Sequence, residues 1–197
     1  MDFIILFDQR LFEFLNSTLT HPWLDVFFPF LTDLHKSAVF QFTAYPMILI
    51  ALYLKFGKKS LGIFLSLVLC IACTDFIGSQ VIKNNVGRLR PGDNPKVQSL
   101  VKSPYGGTSF ISNHSANMFA FAIFMSVFFP TMTIPFFVLA ALVAYSRIYV
   151  GVHFPLDVLG GAFLGLFTGK IFSKIFVLWF KINLDQNFLL FKKRESK

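Results

Sequence analysis

The sequence predicts an all-α fold, a polytopic transmembrane helical bundle of about five spans plus an N-terminal amphipathic helix, and three observations carry this expectation. Hydrophobic residues make up 55% of the 197-residue chain and charged residues only 14%, against about 25% charged in soluble domains. Mean hydropathy is +0.64, and phenylalanine alone occurs 28 times. The apolar residues are gathered into long runs, as a chain must arrange them to cross a hydrocarbon layer about 30 Å thick. High apolar content with low charge excludes a disordered chain, and the length suits a single domain.

The elements follow in order. In residues 1–36, Ile4, Phe7, Leu11, Phe14 and Leu15 recur at helical spacing, and Asp2, Gln9, Glu13 and Asn16 fall mostly elsewhere on the same helix. That pattern reads as an amphipathic helix lying at the membrane surface. A signal peptide is not expected, because Asp2 stands where a basic start belongs and no small-residue cleavage site follows. The next apolar piece, 23–31, is too short to span and is flanked by Asp25 and Asp33. It reads as interfacial or re-entrant, and a sixth span arises only if both pieces join.

Residues 37–180 form the expected core, with spans at 37–56, 61–82, 114–129, 132–149 and 156–180. Helices are required there, since a spanning segment satisfies its own backbone polar groups. Residues 181–197 form a basic tail with Lys192, Lys193, Arg194 and Lys197. With five spans, this tail and the Lys55, Lys58, Lys59 connection lie on one side. The positive-inside rule makes that side cytoplasmic and turns the 83–113 and 150–155 connections outward. The net charge of +8 is read in the same way, and nucleic acid is not expected as a partner. Cys70 and Cys73 lie within an apolar run without the second pair a zinc site needs, so both read as small apolar residues.

The strongest polar groups of the outward side are clustered. Lys83, Arg88, Arg90 and Pro91 follow the second span; Ser112, Asn113 and His114 open the third; Ser146 and Arg147 close the fourth; His153 and Asp157 stand at the start of the fifth. Ionisable groups at membrane depth are costly and usually functional. Lys83, Arg90 and Arg147 would repel a divalent metal, which also finds too few carboxylates. A phosphoryl group fits them, since guanidinium forks and an ammonium match its oxygens. Ser112 and backbone N–H groups at a helix start add further donors. His153 and Asp157, four apart, share one helix face. A carboxylate on one ring nitrogen leaves the other free to attack phosphorus, and His114 is placed to protonate a leaving oxygen and later activate water. Asp75 reads as a structural hydrogen bond to a neighbouring helix. His21 and His35 have no partners in the sequence and receive no role. Tyr105, Gly106 and Gly107 lie in a long connection expected to contact substrate.

At these residues the chain resembles the type-2 phosphatidic acid phosphatase superfamily, whose motifs are K-x6-RP, PSGH and SR-x5-H-x3-D. Lys83 to Arg90-Pro91 and Ser146-Arg147 to His153 and Asp157 match the outer motifs in full. In the middle, Ile111-Ser112-Asn113-His114 keeps Ser and His and replaces Pro and Gly. The resemblance implies catalytic roles for His153 (nucleophile), Asp157 (its orienting carboxylate) and His114 (acid and base). It implies phosphate binding by Lys83, Arg90, Ser112 and Arg147, with Asn113 adding a backbone donor. It further implies a membrane lipid phosphatase with no metal and no cofactor, embedded in the bacterial cytoplasmic (inner) membrane among membrane lipids. The substrates it suggests are undecaprenyl diphosphate, phosphatidylglycerol phosphate, phosphatidic acid or a lipid A phosphate, hydrolysed through a phosphohistidine at the outer face. The alternatives are a lipid phosphotransferase of the same fold and a non-catalytic lipid-binding membrane protein.

Overall fold

The computed structural model describes residues 2–180; the basic tail lies outside the described residues. Helix α1 spans Asp2–Glu13 and runs on through a wider turn at Phe14–Thr18. Helix α2 spans Pro22–Asp33, starting on a proline whose missing N–H costs nothing at a helix start, with His21 Nδ1 accepting from the Trp23 N–H at 3.3 Å. Helix α3 is Ala38–Phe56, and α4 is Ser60–Phe76. The latter continues through a wide turn at Ile77–Ile82 into the short α5, Lys83–Val86. Gly87 stops this rod at φ +62°, the left-handed conformation that closes helix ends and favours glycine. After a long connection come α6 (Asn113–Phe128), α7 (Thr133–Tyr149) and α8 (Pro155–Trp179).

The five expected spans coincide with α3, α4 with its extension, α6, α7 and α8 to within a residue or two. Among the described residues, three stretches are long and apolar enough to cross a membrane: Ala38–Asp93, Pro130–Tyr149 and Pro155–Trp179. The first holds both α3 and α4, broken at Gly57. Helix α6, at 16 residues, falls below the roughly 17–25 that a span needs. It also carries Asn113, His114, Ser115 and Asn117 in its first turns, where a function outweighs hydropathy.

The core sits among α3, α4, α6 and α8, where Leu52, Ile63, Leu67, Cys70, Ala120, Phe124, Met125, Phe128 and Phe176 pack together. Cys70 is buried there as an apolar group, as expected, and both cysteines are free. Helices α6 and α8 approach closely because α8 presents glycine every fourth residue. A Cβ at Gly161, Gly165 or Gly169 would strike the α6 backbone at Ser112, Ala116 or Ala120. Such small-residue stripes let helices meet where lipid supplies no hydrophobic drive. Around this core the outward residues are apolar: Phe42, Leu54, Phe163 and Trp179 are all strongly exposed. That is the inverse of a soluble surface, and it makes the chain an integral membrane protein.

Helix α1 is amphipathic, but its protein-facing side is not its apolar side. Ile4, Phe7 and Phe14 are exposed, while Asp8, Phe12 and Asn16, spaced by four, are buried. In a lipid-facing element the apolar face turns outward, and the polar groups seek partners in the protein.

Candidate active site

The ends of α5, α6, α7 and α8 that carry the expected residues converge at one end of the bundle. His153 lies in the turn between α7 and α8, with its N–H donating to the Arg147 carbonyl at 3.2 Å. The turn depends on Gly151, which has φ +80° and whose Cβ would meet the Leu100 carbonyl oxygen at 2.6 Å. The His153 ring is buried. Its Nδ1 lies 3.6 Å from Asp157 Oδ2, an ion-pair separation rather than a hydrogen bond. Its Nε2 lies 3.3 Å from Arg90 Nη1. Arginine only donates, so Nε2 carries the lone pair and the proton sits on Nδ1, facing the carboxylate. Burial holds this imidazole down to about 4, against the opposing pull of Asp157, so the ring is neutral at pH 7.

Asp157 is fully buried and heavily engaged. Oδ2 accepts from Ser109 Oγ and from the Phe154 N–H at 2.8 Å; Oδ1 accepts from Arg88 Nη1 at 2.7 Å. The Asp157 carbonyl accepts the Ser112 N–H at 2.9 Å, and Ser115 Oγ donates to the Val158 carbonyl at 2.7 Å. These two bonds lock the start of α6 to the start of α8.

Two arginines and a lysine supply positive charge. Arg90 is buried and gripped by carbonyls, donating to Val152 at 2.9 Å, Gly107 at 3.0 Å and Gly106 at 2.9 Å. The glycines of the long connection, expected to meet substrate, hold Arg90 by their backbones instead. Arg147 is buried, donates to Thr32 Oγ1 at 2.5 Å, and keeps its Nε without a partner. Lys83 opens α5 at the same end, electrostatically coupled to Arg90, Asp157, Asp75 and Arg147.

At the start of α6, Ser112 caps the helix, its Oγ accepting weakly from the Ser115 N–H at 3.5 Å. Asn113 turns its side chain away from this cluster. Its Nδ2 donates to Asp75 Oδ1 at 2.9 Å, alongside Asn117 Nδ2 at 3.0 Å. Asp75 has the structural role expected of it, accepting from Asn113 and Asn117 of the neighbouring helix. The space is tight: a Cβ at Gly78 would lie 2.7 Å from Asn113 Oδ1. His114 is half-buried, its ring edge-on against His35 with centroids 5.0 Å apart, and its buried Nε2 has no partner. Orphaned buried polar atoms are rare, and here Arg147 Nε, His114 Nε2 and His153 Nδ1 are gathered at one end of the bundle.

Sequence reasoning missed the supports of this cluster. Arg88 and Ser109 hold Asp157, Thr32 of α2 holds Arg147, and Asp8 of α1 accepts from Arg88 Nη2 at 2.5 Å. His35, to which the sequence assigns no role, meets the His114 ring edge-on. None of these contacts is sequence-local, so no spacing signals them; only Arg88, inside the first motif, was in view. Among the described residues no group of His, Cys, Asp and Glu could hold a metal ion.

Comparison with known proteins agrees with this geometry. The model of the PAP2 superfamily matches residues 39–181. A "Lipid A 4'-phosphatase" of Porphyromonas gingivalis is 33% identical over 90% of this chain and 76% of its own length. The protein of the same name from Bacteroides thetaiotaomicron is 32% identical over 87% of this chain and 78% of its own. Among solved structures, Aquifex aeolicus LpxE superposes with TM-score 0.64 and 31% identity, covering 84% of this chain and 93% of that one. A Bacillus subtilis PAP2-type phosphatidylglycerolphosphate phosphatase shares the fold at TM-score 0.65 and 24% identity, over 89% and 87%. A buried His–Asp pair beside two arginines, on helices matched along most of their length, makes this chain a member of the PAP2 superfamily, as a membrane lipid phosphatase of bacterial type.

Proposed function

We propose that the chain hydrolyses a lipid phosphomonoester or diphosphate through a phosphohistidine on His153, at the outer face of the membrane, with five helices (α3, α4, α6, α7, α8) crossing the bilayer. A glycolipid phosphate of the lipid A kind is the favoured substrate, because relatives named for that activity match nearly the whole chain.

One observation carries the mechanism: Nε2 of a neutral, buried His153 presents its lone pair toward Arg90. The substrate phosphoryl group sits among Arg90, Arg147, Lys83 and the first N–H groups of α6. The Nε2 lone pair forms the N–P bond as the P–O bond to the lipid breaks. The leaving oxygen takes a proton from His114 in its imidazolium form, which leaves that ring neutral. Water then gives a proton to His114 while its oxygen attacks phosphorus; the N–P bond breaks, its electron pair returns to His153, and phosphate leaves. Asp157 faces the positive charge that builds on the ring. The side-chain cations stabilise the equatorial oxygens, the work for which other phosphoryl-transfer sites use magnesium.

The test is phosphate release by the purified protein in detergent with EDTA, on lipid A, undecaprenyl diphosphate, phosphatidylglycerol phosphate and phosphatidic acid. Turnover that survives EDTA and is lost in His153→Ala, with a labelled phosphohistidine trapped by rapid quench only in the parent, is the expected result. Full turnover in His153→Ala would sink the mechanism. Label appearing on an added lipid or sugar hydroxyl rather than as free phosphate would make the chain a phosphotransferase.

A further inference from the structure

Buried Asp8 and half-buried Arg88 form a pair that stands at no defining position of the three motifs and has no part in the steps above. Asp8 sits on α1 and is 1% exposed. One of its oxygens accepts the Leu156 N–H at 2.9 Å; the other accepts Arg88 Nη2 at 2.5 Å. Arg88 Nη1 meets Asp157 Oδ1 at 2.7 Å, and the guanidinium lies 4.1 Å over the Phe154 ring. One guanidinium thus bridges two buried carboxylates, one of them the partner of His153.

From this geometry we propose that Asp8 is a positioning residue for the phosphatase reaction: it neutralises Arg88, so that the charge of Asp157 remains available to His153. The role rests on the reading of His153 as nucleophile. Charge counting carries it. Arg88 is one positive charge between two negative ones, so a net negative charge faces the ring when it becomes cationic on attacking phosphorus. Without the Asp8 charge, Arg88 and Asp157 cancel, and the ring faces a neutral pair beside Arg90 and Arg147. Geometry adds a second effect. Asp8 fixes one arm of the Arg88 fork, and the other arm fixes the Asp157 oxygen opposite His153.

Anchoring α1 alone does not call for this arrangement. Phe12 already packs edge-on against Phe154 at 5.3 Å. Asn16 donates to the Tyr149 carbonyl at 2.8 Å and accepts the Leu100 N–H at 2.7 Å. A buried carboxylate placed on the guanidinium that Asp157 uses is costly to desolvate, and charge balance gives it a purpose that anchoring does not.

The experiment compares Asp8→Asn with the parent, full-length in detergent, by two readouts. The first is steady-state phosphate release. The second is 15N NMR titration of labelled histidines, with His153 assigned by its loss in His153→Ala, which needs no substrate. Asp8→Asn is expected to lower kcat by about 10- to 100-fold, the cost of a slightly misplaced reacting group. KM should stay nearly unchanged, since Asp8 touches no phosphate ligand. The His153 midpoint should move to lower pH by about half a unit or more, because the cationic ring loses net negative charge nearby. Asp8→Glu, which keeps the charge, should restore the midpoint, and it carries the test if the asparagine variant does not fold. A folded Asp8→Asn protein with an unmoved midpoint overturns the proposal, whether its kcat is intact or falls only with melting temperature, and so does a folded Asp8→Glu protein whose midpoint has moved. A moved midpoint in a protein whose parent releases no phosphate supports the Asp8 role and overturns the phosphatase reading instead.

Discussion

Burial sets His153 apart from an ordinary histidine at the scale of the single residue. A free imidazole titrates near 6.5; burial holds this one down to about 4, with Asp157 pulling the other way and Arg90 and Arg147 reinforcing the burial. The sign is fixed: a lowered midpoint keeps the ring neutral, and therefore nucleophilic, between pH 4 and 6.5, where a solvated histidine would be charged. The acid limb of kcat/KM should accordingly fall below 6.5. Asp157→Asn should move that limb lower still while reducing the maximum, because the supporting charge is gone. A limb at or above 6.5 in the parent would mean that the ring is solvated in the working enzyme. At this scale the sequence was informative where chemistry imposes spacing. The residues from Lys83 to Arg90 and from Arg147 to Asp157 converge because helix periodicity and tight turns tie them. Asp8, Thr32, His35 and Ser109 were invisible, since each reaches its partner across the fold and carries no pattern of its own. Asn113 was read for its position in a motif, while its side chain answers to Asp75, which sequence proximity could not reveal.

Among the helices, the contact between α6 and α8 decides whether there is a site at all. The Ser112 N–H to Asp157 carbonyl bond and the Ser115 to Val158 bond form only because Gly161, Gly165 and Gly169 bring the two backbones together. A Cβ at Gly165 would collide with the Ala116 carbonyl and lie 2.8 Å from the Ala120 nitrogen, and backbone cannot step aside as a side-chain tip can. Gly165→Val should push α6 outward, lowering both melting temperature and kcat, while Gly87→Asn, at an open left-handed position that asparagine tolerates, should change neither by much. Thermal melts and turnover of the two variants side by side check this; a Gly165→Val protein with unchanged melting and turnover would show that α6 and α8 need not touch. Hydropathy made the helices legible almost to the residue, because lipid imposes a length on each. It located α6 as well, although the site replaces apolar residues at that helix start, but it carried no signal for how α1 docks, whose buried stripe is Asp8, Phe12 and Asn16.

For the whole molecule, the distribution of cations bears on which side of the membrane the site faces. At the site end Arg88, Arg90 and Arg147 are engaged in hydrogen bonds within the protein, Lys36 and Lys102 pair with Asp33 and Asp25, Lys83 joins the site, and Lys96 stands exposed. At the opposite end Lys58 and Lys59 stand exposed beside the turn that joins α3 to α4. Cations built into an anion pocket answer to the substrate, so the proposed outward orientation rests on the exposed pair together with the basic tail, through the retention of Lys and Arg in the cytoplasm. After Cys70 and Cys73 are replaced by alanine, single cysteines at Lys96 and Lys58, both exposed, report the two sides. In intact cells an impermeant maleimide should label Lys96→Cys and spare Lys58→Cys until the membrane is opened. That pattern fits a lipid whose phosphate projects from the outer leaflet, such as a carrier diphosphate or a lipid A phosphate. The reverse pattern would place the pocket in the cytoplasm and require a headgroup phosphorylated on that side, so the same two cysteines narrow the substrate as well as the orientation.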